Sequence, residues 1–182
     1  MISLELVQNS ITAKASRIDF HLSLDQPDGK SSLIVKDDGK GMDEETLKKV
    51  FCPFTTSRTT RKVGLGLAFF QQAIQQADGS VSISSKLGEG TTVTGIWKSD
   101  HWDAPPLGNL GEVVLIALQG SPALHLQFSI TTKSGVYVFD SKTLEASLAP
   151  VPISEPAILM WIENEINTNI QQLKGGIDHE ES

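Results

Sequence analysis

Apolar positions recur along this chain with two different periods. In SLELVQNSITAK, residues 3–14, Leu4, Val7, Ile11 and then Ala15 share one side of a 3.6-residue repeat, which predicts an amphipathic helix. Over RIDFHLSLD the period falls to two. Ile18, Phe20, Leu22 and Leu24 alternate with polar residues, as on a half-buried strand. QPDGK carries turn chemistry and SSLIVKD is a second strand, so 17–37 reads as an antiparallel hairpin. Asp43 stands where it can cap a short helix, EETLKKVF. The connector TTSRTTRK has no apolar period and reads as a mobile loop. GLGLAFFQQAIQQA returns to the helical period and stops at Asp78-Gly79, and SVSISSKLGEGTTVTGIWK follows as two strands around a glycine-rich turn.

DHWDAPPLGN interrupts the pattern with two prolines. Beyond it the periods predict a helix near 108–119, a hairpin of LHLQFSIT and GVYVFDS, and helices near 141–148 and 155–173. In the last of these, Ile158, Leu159, Trp161, Ile162, Ile166 and Ile170 are available for packing. The plan is an α/β domain at 1–99, a linker at 100–107 and a small α+β unit at 108–182.

Composition narrows the picture in two ways. The single cysteine, Cys52, cannot form an internal disulfide, and it reads, with the three tryptophans, as a packing residue. The longest aliphatic run, Val113 to Leu118, is far short of the ~20 residues a membrane helix needs. With no apolar leader at its start, the sequence predicts a soluble protein, most simply a cytoplasmic one. The net charge of −7 is uneven: residues 1–100 hold 12 basic and 12 acidic side chains, and the remainder holds 3 basic against 10 acidic. A basic nucleic-acid footprint is therefore absent.

Four polar or glycine-rich patches carry the candidate chemistry. Glu5 and Asn9, four residues apart, share one helical face. Together they offer a carboxylate base beside a neutral oxygen ligand suited to Mg2+; read alone, they more simply line the solvent side of a helix. VKDDGKGM follows a strand: its acid can accept from an exocyclic amine, and its glycines let backbone approach a flat base, although a plain turn fits as well. In PFTTSRTTRKVGLGLA, Gly64 and Gly66 precede a helix, whose first amides form a phosphate site, with Arg58, Arg61 and Lys62 to neutralise charge. A dinucleotide fold is excluded by context, since no buried strand leads into these glycines and the third glycine is missing. GEGTT, with Gly88, Gly90 and Thr91, marks a strand-to-strand turn.

Taken in order, the four patches resemble the N, G1, G2 and G3 boxes of the Bergerat-fold ATP-binding domain. That domain is shared by histidine kinases, gyrase, heat-shock chaperone ATPases and MutL, the GHKL superfamily. The connecting VFCPFTTSR is similar to the F box of histidine kinases, and the likeness covers about residues 2–98. It implies a two-layer sandwich, a mixed sheet with helices on one face, that binds ATP and Mg2+. It implies nucleotide contacts at Asn9, Asp37, Gly39, Gly41, Met42, Thr55, Thr56, Arg58, Gly64, Leu65, Gly66, Leu67 and Thr91. Asn9 would hold Mg2+, Asp37 would accept from the adenine amine, Thr91 would bond near adenine through water, and residues 55–63 would form a short lid.

The branch within the superfamily turns on Glu5. Histidine kinases carry asparagine there, whereas the ATPases and the anti-sigma-factor serine kinases carry glutamate. The difference is chemical: a water or hydroxyl nucleophile gains from a carboxylate base, and a neutral imidazole does not. Glu5 is thus the candidate catalytic residue. The N box stands almost at the start of this sequence, which leaves no room ahead of it for a phosphoacceptor hairpin, and the strand expected before the first helix is missing or supplied elsewhere. His21, His101, His125 and His179 read as incidental. Asp38 and Lys40 match a gyrase-like DDGRG more nearly than DNGPG. Thr12, where MutL-like proteins show aspartate, and Lys14, where they show glycine, argue against close MutL kinship. The expectation is ATP hydrolysis or phosphorylation of a protein hydroxyl in signal transduction, with residues 108–182 choosing a protein partner and a homodimer left open. The alternatives are a non-catalytic nucleotide sensor and the catalytic half of a split histidine kinase.

Overall fold

Alternating burial along every strand builds one sheet with a single apolar side. The computed structural model describes residues 2–50 and 65–175. Its elements are α1 (Ile2–Thr12), β1 (Arg17–Ser23), β2 (Lys30–Asp37), α2 (Glu44–Lys49), α3 (Leu65–Gln76), β3 (Ser80–Lys86), β4 (Gly90–Lys98), α4 (Leu110–Gly120), β5 (His125–Thr132), β6 (Gly135–Asp140), α5 (Ser141–Leu148) and α6 (Pro156–Gly175). Six strands pair in the order β3-β4-β2-β1-β5-β6. Every neighbouring pair is antiparallel except β1 with β5, which is parallel. The sheet is therefore mixed, and α1, α3, α4 and α6 cover its apolar face.

The expected 17–37 hairpin forms, pairing Phe20 with Val35 and Leu22 with Leu33. Asp43 caps α2 by accepting from the Thr46 amide, which holds its carboxyl below the usual range. Residues 100–107 contain neither helix nor strand, yet the segments on either side share one sheet and one core. At the joint, Phe20 on β1 stacks on Phe128 on β5 with ring centroids 5.2 Å apart. The outer edge of β1 is thus occupied by a strand from the C-terminal segment, and α4 packs between α1 and α6. Gly111 makes that packing close, since a β-carbon there would stand 2.5 Å from the Glu163 carbonyl.

Two expected faces differ. In α1 the buried residues are Ile2, Ser3, Leu6, Val7 and Ser10, whereas Leu4, Ile11 and Ala15 are only half-buried. The helix is enclosed by the sheet, α3 and α4, and two small serines let it settle between them. On α6, Leu159, Ile162, Ile166 and Ile170 are buried as expected, but Trp161 is 50% exposed. Trp102 is also exposed, so of the three tryptophans only Trp97 is a packing residue. Two of the histidines serve the fold: His21 bonds Ser129 at 2.6 Å, and His125 bonds Asp140 at 2.9 Å; His179 lies outside the described residues. Among the described residues, no helix is long and apolar enough to cross a membrane.

Candidate functional site

The C-terminal end of β2 creates the central feature. Ser31, Leu33, Val35 and Asp37 share the core-facing parity of the strand, so alternation delivers a carboxylate to an apolar surface. Burying a charge there is costly unless donors meet it. Two do: the Ser10 hydroxyl donates to Asp37 Oδ2 at 2.7 Å, and the Gly39 amide donates to Oδ1 at 2.9 Å. Asp37 remains 8% exposed, at the floor of a pocket.

The pocket lies between α1 and the ends of β2 and β4. Leu6, Val35, Met42, Leu67 and Val93 give it apolar walls, and Asn9, Ser10, Asp37 and Thr91 supply its polar groups. Thr12, Ala13, Lys40 and Gly41 complete the lining. Apolar walls around a buried acceptor suit a heteroaromatic ring whose edge carries a donor.

Residues 38–42 are fastened on both sides. The Lys40 amide donates to the Ala13 carbonyl, the Gly88 amide to the Lys40 carbonyl, and the Met42 amide to Ser85 Oγ, each at 2.8 Å. Gly41 is obligatory here. Its φ is +66°, and a β-carbon would stand 1.9 Å from the Lys86 carbonyl oxygen. Thr91 is the direct cross-strand partner of Asp37, and its hydroxyl shares a 2.8 Å bond with Ser85. Asp38 faces the other way: it accepts from the amides of Ser16 and Arg17 and from the Ser16 hydroxyl. Burial works against its charge, but these bonds outweigh it and hold the carboxyl below the usual range.

The second end of the site is the junction of α1 with α3. Glu5 and Asn9 lie one turn apart on α1, and Gly66 of α3 faces both: a β-carbon there would be 2.8 Å from Glu5 Oε2 and 3.6 Å from Asn9 Nδ2. The described part of α3 runs from Leu65, and the amides of Leu65, Gly66 and Leu67 lie in its first described turn. Leu67 itself is buried against the pocket. Asn9 Nδ2 is buried and has no hydrogen-bond partner among the described residues. Thr55, Thr56, Arg58, Arg61, Lys62, Gly64 and Cys52 lie outside the described residues.

The structure therefore gathers Glu5, Asn9 and Gly66 at one end, and Asp37, Gly39, Gly41, Met42 and Thr91 at the other. Sequence reasoning missed Ser10 and Ser85, which orient Asp37 and Thr91. Ser10 carried one signal, its place one helical turn after Leu6 and next to Asn9.

Comparison with known proteins places residues 1–100 in a family. The model of the histidine kinase-, DNA gyrase B- and HSP90-like ATPase family matches residues 1–100. Sensor histidine kinase YvrG of Bacillus subtilis is 32% identical over 97 residues, 51% of this chain and 17% of that protein. A putative sensor protein of Shewanella frigidimarina is 35% identical over 98 residues, 50% of this chain and 14% of that protein. The match thus spans less than a fifth of either relative. Among solved structures, the catalytic domain of histidine kinase ThkA aligns at 24% identity over 52% of this chain and 62% of that one, with a TM-score of 0.41. The N-terminal domain of a DNA repair protein aligns at 16% identity over 75% of this chain and 49% of that one, with a TM-score of 0.48. On the family match over more than half its length, this chain belongs to the histidine kinase-, DNA gyrase B- and HSP90-like ATPases.

Proposed function

We propose that this chain binds ATP with Mg2+ in the pocket between α1 and the ends of β2 and β4, and presents the terminal phosphate to a water or a protein hydroxyl. The observation that carries the reading is the buried carboxylate of Asp37 at the floor of an apolar pocket that also contains Asn9. In this reading Asp37 accepts from the adenine amine, Thr91, its hydroxyl held by Ser85, bonds near the adenine through water, and Gly41 and Met42 wall the ring. The first amides of α3, at Leu65, Gly66 and Leu67, meet the phosphates, where backbone donors and the helix dipole favour negative charge.

The residues fit magnesium. Among the described residues there is no cluster of three or more His, Cys, Asp or Glu able to cage a metal. A single neutral oxygen, Asn9 Oδ1, suits an ion that takes most of its ligands from phosphate and water, and Asn9 Nδ2, buried without a partner among the described residues, is a donor left for a phosphate oxygen. Bound there, Mg2+ would neutralise charge on the phosphate oxygens. Glu5, one turn away and against Gly66, is then the group that orients or deprotonates the attacking oxygen.

Residues 108–182 belong to the same proposal as the part that selects a protein partner. Met160 and Trp161 stand exposed on α6, which supports that role. The test of the nucleotide reading is calorimetric titration of the full chain and of Asp37→Asn with Mg-ATP. The parent binds, and the variant binds roughly tenfold more weakly or worse, as expected for a buried hydrogen bond to a charged acceptor. Equal affinity in a folded variant removes Asp37 from the nucleotide site.

A further inference from the structure

We propose that Ser10 is a positioning residue that makes this pocket selective for adenine over purines carrying a carbonyl at the six-position. The inference rests on the reading of the pocket as a nucleotide site and goes beyond it by assigning base discrimination to α1. Ser10 is 3% exposed and has one hydroxyl proton to place. Its two acceptors within reach are the Leu6 carbonyl at 3.4 Å and Asp37 Oδ2 at 2.7 Å, so the carboxylate is the better-met partner.

The consequence lies at Asp37. The Ser10 hydroxyl binds Oδ2 from the helix side and the Gly39 amide binds Oδ1 from the chain that follows β2. Two donors at fixed positions set the plane of the carboxylate, and what it offers the pocket is lone pairs alone. A ring presenting an amine to that edge completes the bond. A ring presenting a carbonyl sets lone pairs against lone pairs in a buried site, where an unmet polar group is expensive. Gly39 cannot do this by itself, because one donor leaves the carboxylate free to turn about its Cβ–Cγ bond. One turn of α1 thus addresses both ends of the ligand, with Asn9 toward the phosphates and Ser10 behind the base.

The experiment measures dissociation constants of the full chain for Mg-ATP and Mg-ITP, which differ at the six-position by amine against carbonyl. The parent, Ser10→Ala, Ser10→Cys and Ser10→Thr are compared. The parent prefers ATP. Ser10→Ala loses about five- to tenfold in ATP affinity while ITP changes by no more than about twofold, so the ratio narrows. Ser10→Cys, close in size and a poor donor, narrows it likewise and stands in if the alanine variant does not fold. Ser10→Thr keeps the hydroxyl and keeps the ratio, even if both affinities drop. A ratio unchanged in Ser10→Ala and Ser10→Cys overturns the inference, whether binding of the two nucleotides falls equally or not at all. A parent that binds both nucleotides equally overturns it too. A parent that binds neither refutes the nucleotide reading itself.

Discussion

Gly66 of α3 faces Glu5 of α1 so closely that a β-carbon at Gly66 would stand 2.8 Å from Glu5 Oε2 and 3.2 Å from Glu5 Cβ. The first contact could relax by rotating a carboxylate, but the second involves an atom fixed to the helix backbone. Gly66 therefore sets how near the start of α3 comes to the side chains of the candidate phosphate end.

Gly66→Ala separates this close approach from ordinary helix stability. Alanine favours a helix over glycine by about 1 kcal/mol, so the fold is little weakened. Glu5 must nevertheless move, and a displacement of this kind near reacting atoms costs on the order of a hundredfold in rate. The expected outcome is a melting temperature near that of the parent with at least tenfold slower ATP turnover at saturating nucleotide. Turnover at the parental rate would show that the Glu5–Gly66 contact has no part in the chemistry.

Lys14 gives the opposite kind of prediction, a gain. It follows α1 with φ at 63°, its amide bonded to the Ile11 carbonyl at 2.9 Å. A left-handed conformation costs a residue with a side chain about 1–2 kcal/mol, and glycine avoids that strain at some cost in unfolded-chain entropy. Lys14→Gly should raise unfolding free energy in urea by about 0.5–1 kcal/mol. This is the position where MutL-like relatives are expected to carry glycine, so the sequence difference has a conformational meaning. A variant no more stable than the parent would show that the loop already accommodates the strain.

Local chemistry makes much of this architecture legible in the sequence. The period-two run around Phe20, the QPDGK turn and the Asp43 cap each act over a few residues, and each formed where expected. What stayed hidden depends on distant partners. The parallel pairing of β1 with β5 joins residues 108 positions apart, such as Arg17 with His125, and leaves no local mark in either segment. The buried side of α1 differs from the one its apolar period predicts for a related reason. Ser3 and Ser10 look like surface residues, yet both are buried, Ser10 against the Asp37 carboxylate. At the site, Asp37 and Gly41 were readable because a charge and two glycines ending a strand are conspicuous. Ser85, which ties Met42 to Thr91, resembled its serine neighbours along β3.

Asp38 predicts a pH signature. Burial raises its pKa, but the bonds from Ser16 and Arg17 lower it further, so the folded value lies below the unfolded one. A carboxyl of that kind contributes stability above the unfolded value, near pH 4, and loses it as pH falls through the folded value. Asp38 is largely exposed, so screening limits the effect. Asp38→Ala should cost about 1 kcal/mol at neutral pH. Denaturation curves of parent and variant should begin to draw together below about pH 4 and converge below the folded value. A gap that persists unchanged in acid would assign the loss to packing of the 13–17 loop and not to the charge.

The last prediction divides binding from chemistry on α1. Asn9 and Glu5 are one turn apart and both lie against Gly66, but the proposed roles differ. Asn9 holds the ion that organises the phosphates, so Asn9→Ala should weaken Mg-ATP binding and slow turnover together. Glu5 acts on the nucleophile alone. Glu5→Ala should therefore bind Mg-ATP within a few-fold of the parent and lose roughly 10²–10⁴ in turnover, the usual contribution of a positioned general base. Glu5→Gln sharpens the comparison, because it keeps the size and the contact with Gly66 while removing the basic oxygen. Loss of turnover in Glu5→Gln comparable to that in Glu5→Ala assigns the effect to proton transfer; full recovery assigns it to packing against α3. Turnover at the parental rate in Glu5→Ala, at saturating Mg-ATP, would remove Glu5 from the mechanism. Only a parent that itself shows no turnover would leave a pocket that binds nucleotide through Asn9 and Asp37 and reports its state without consuming it.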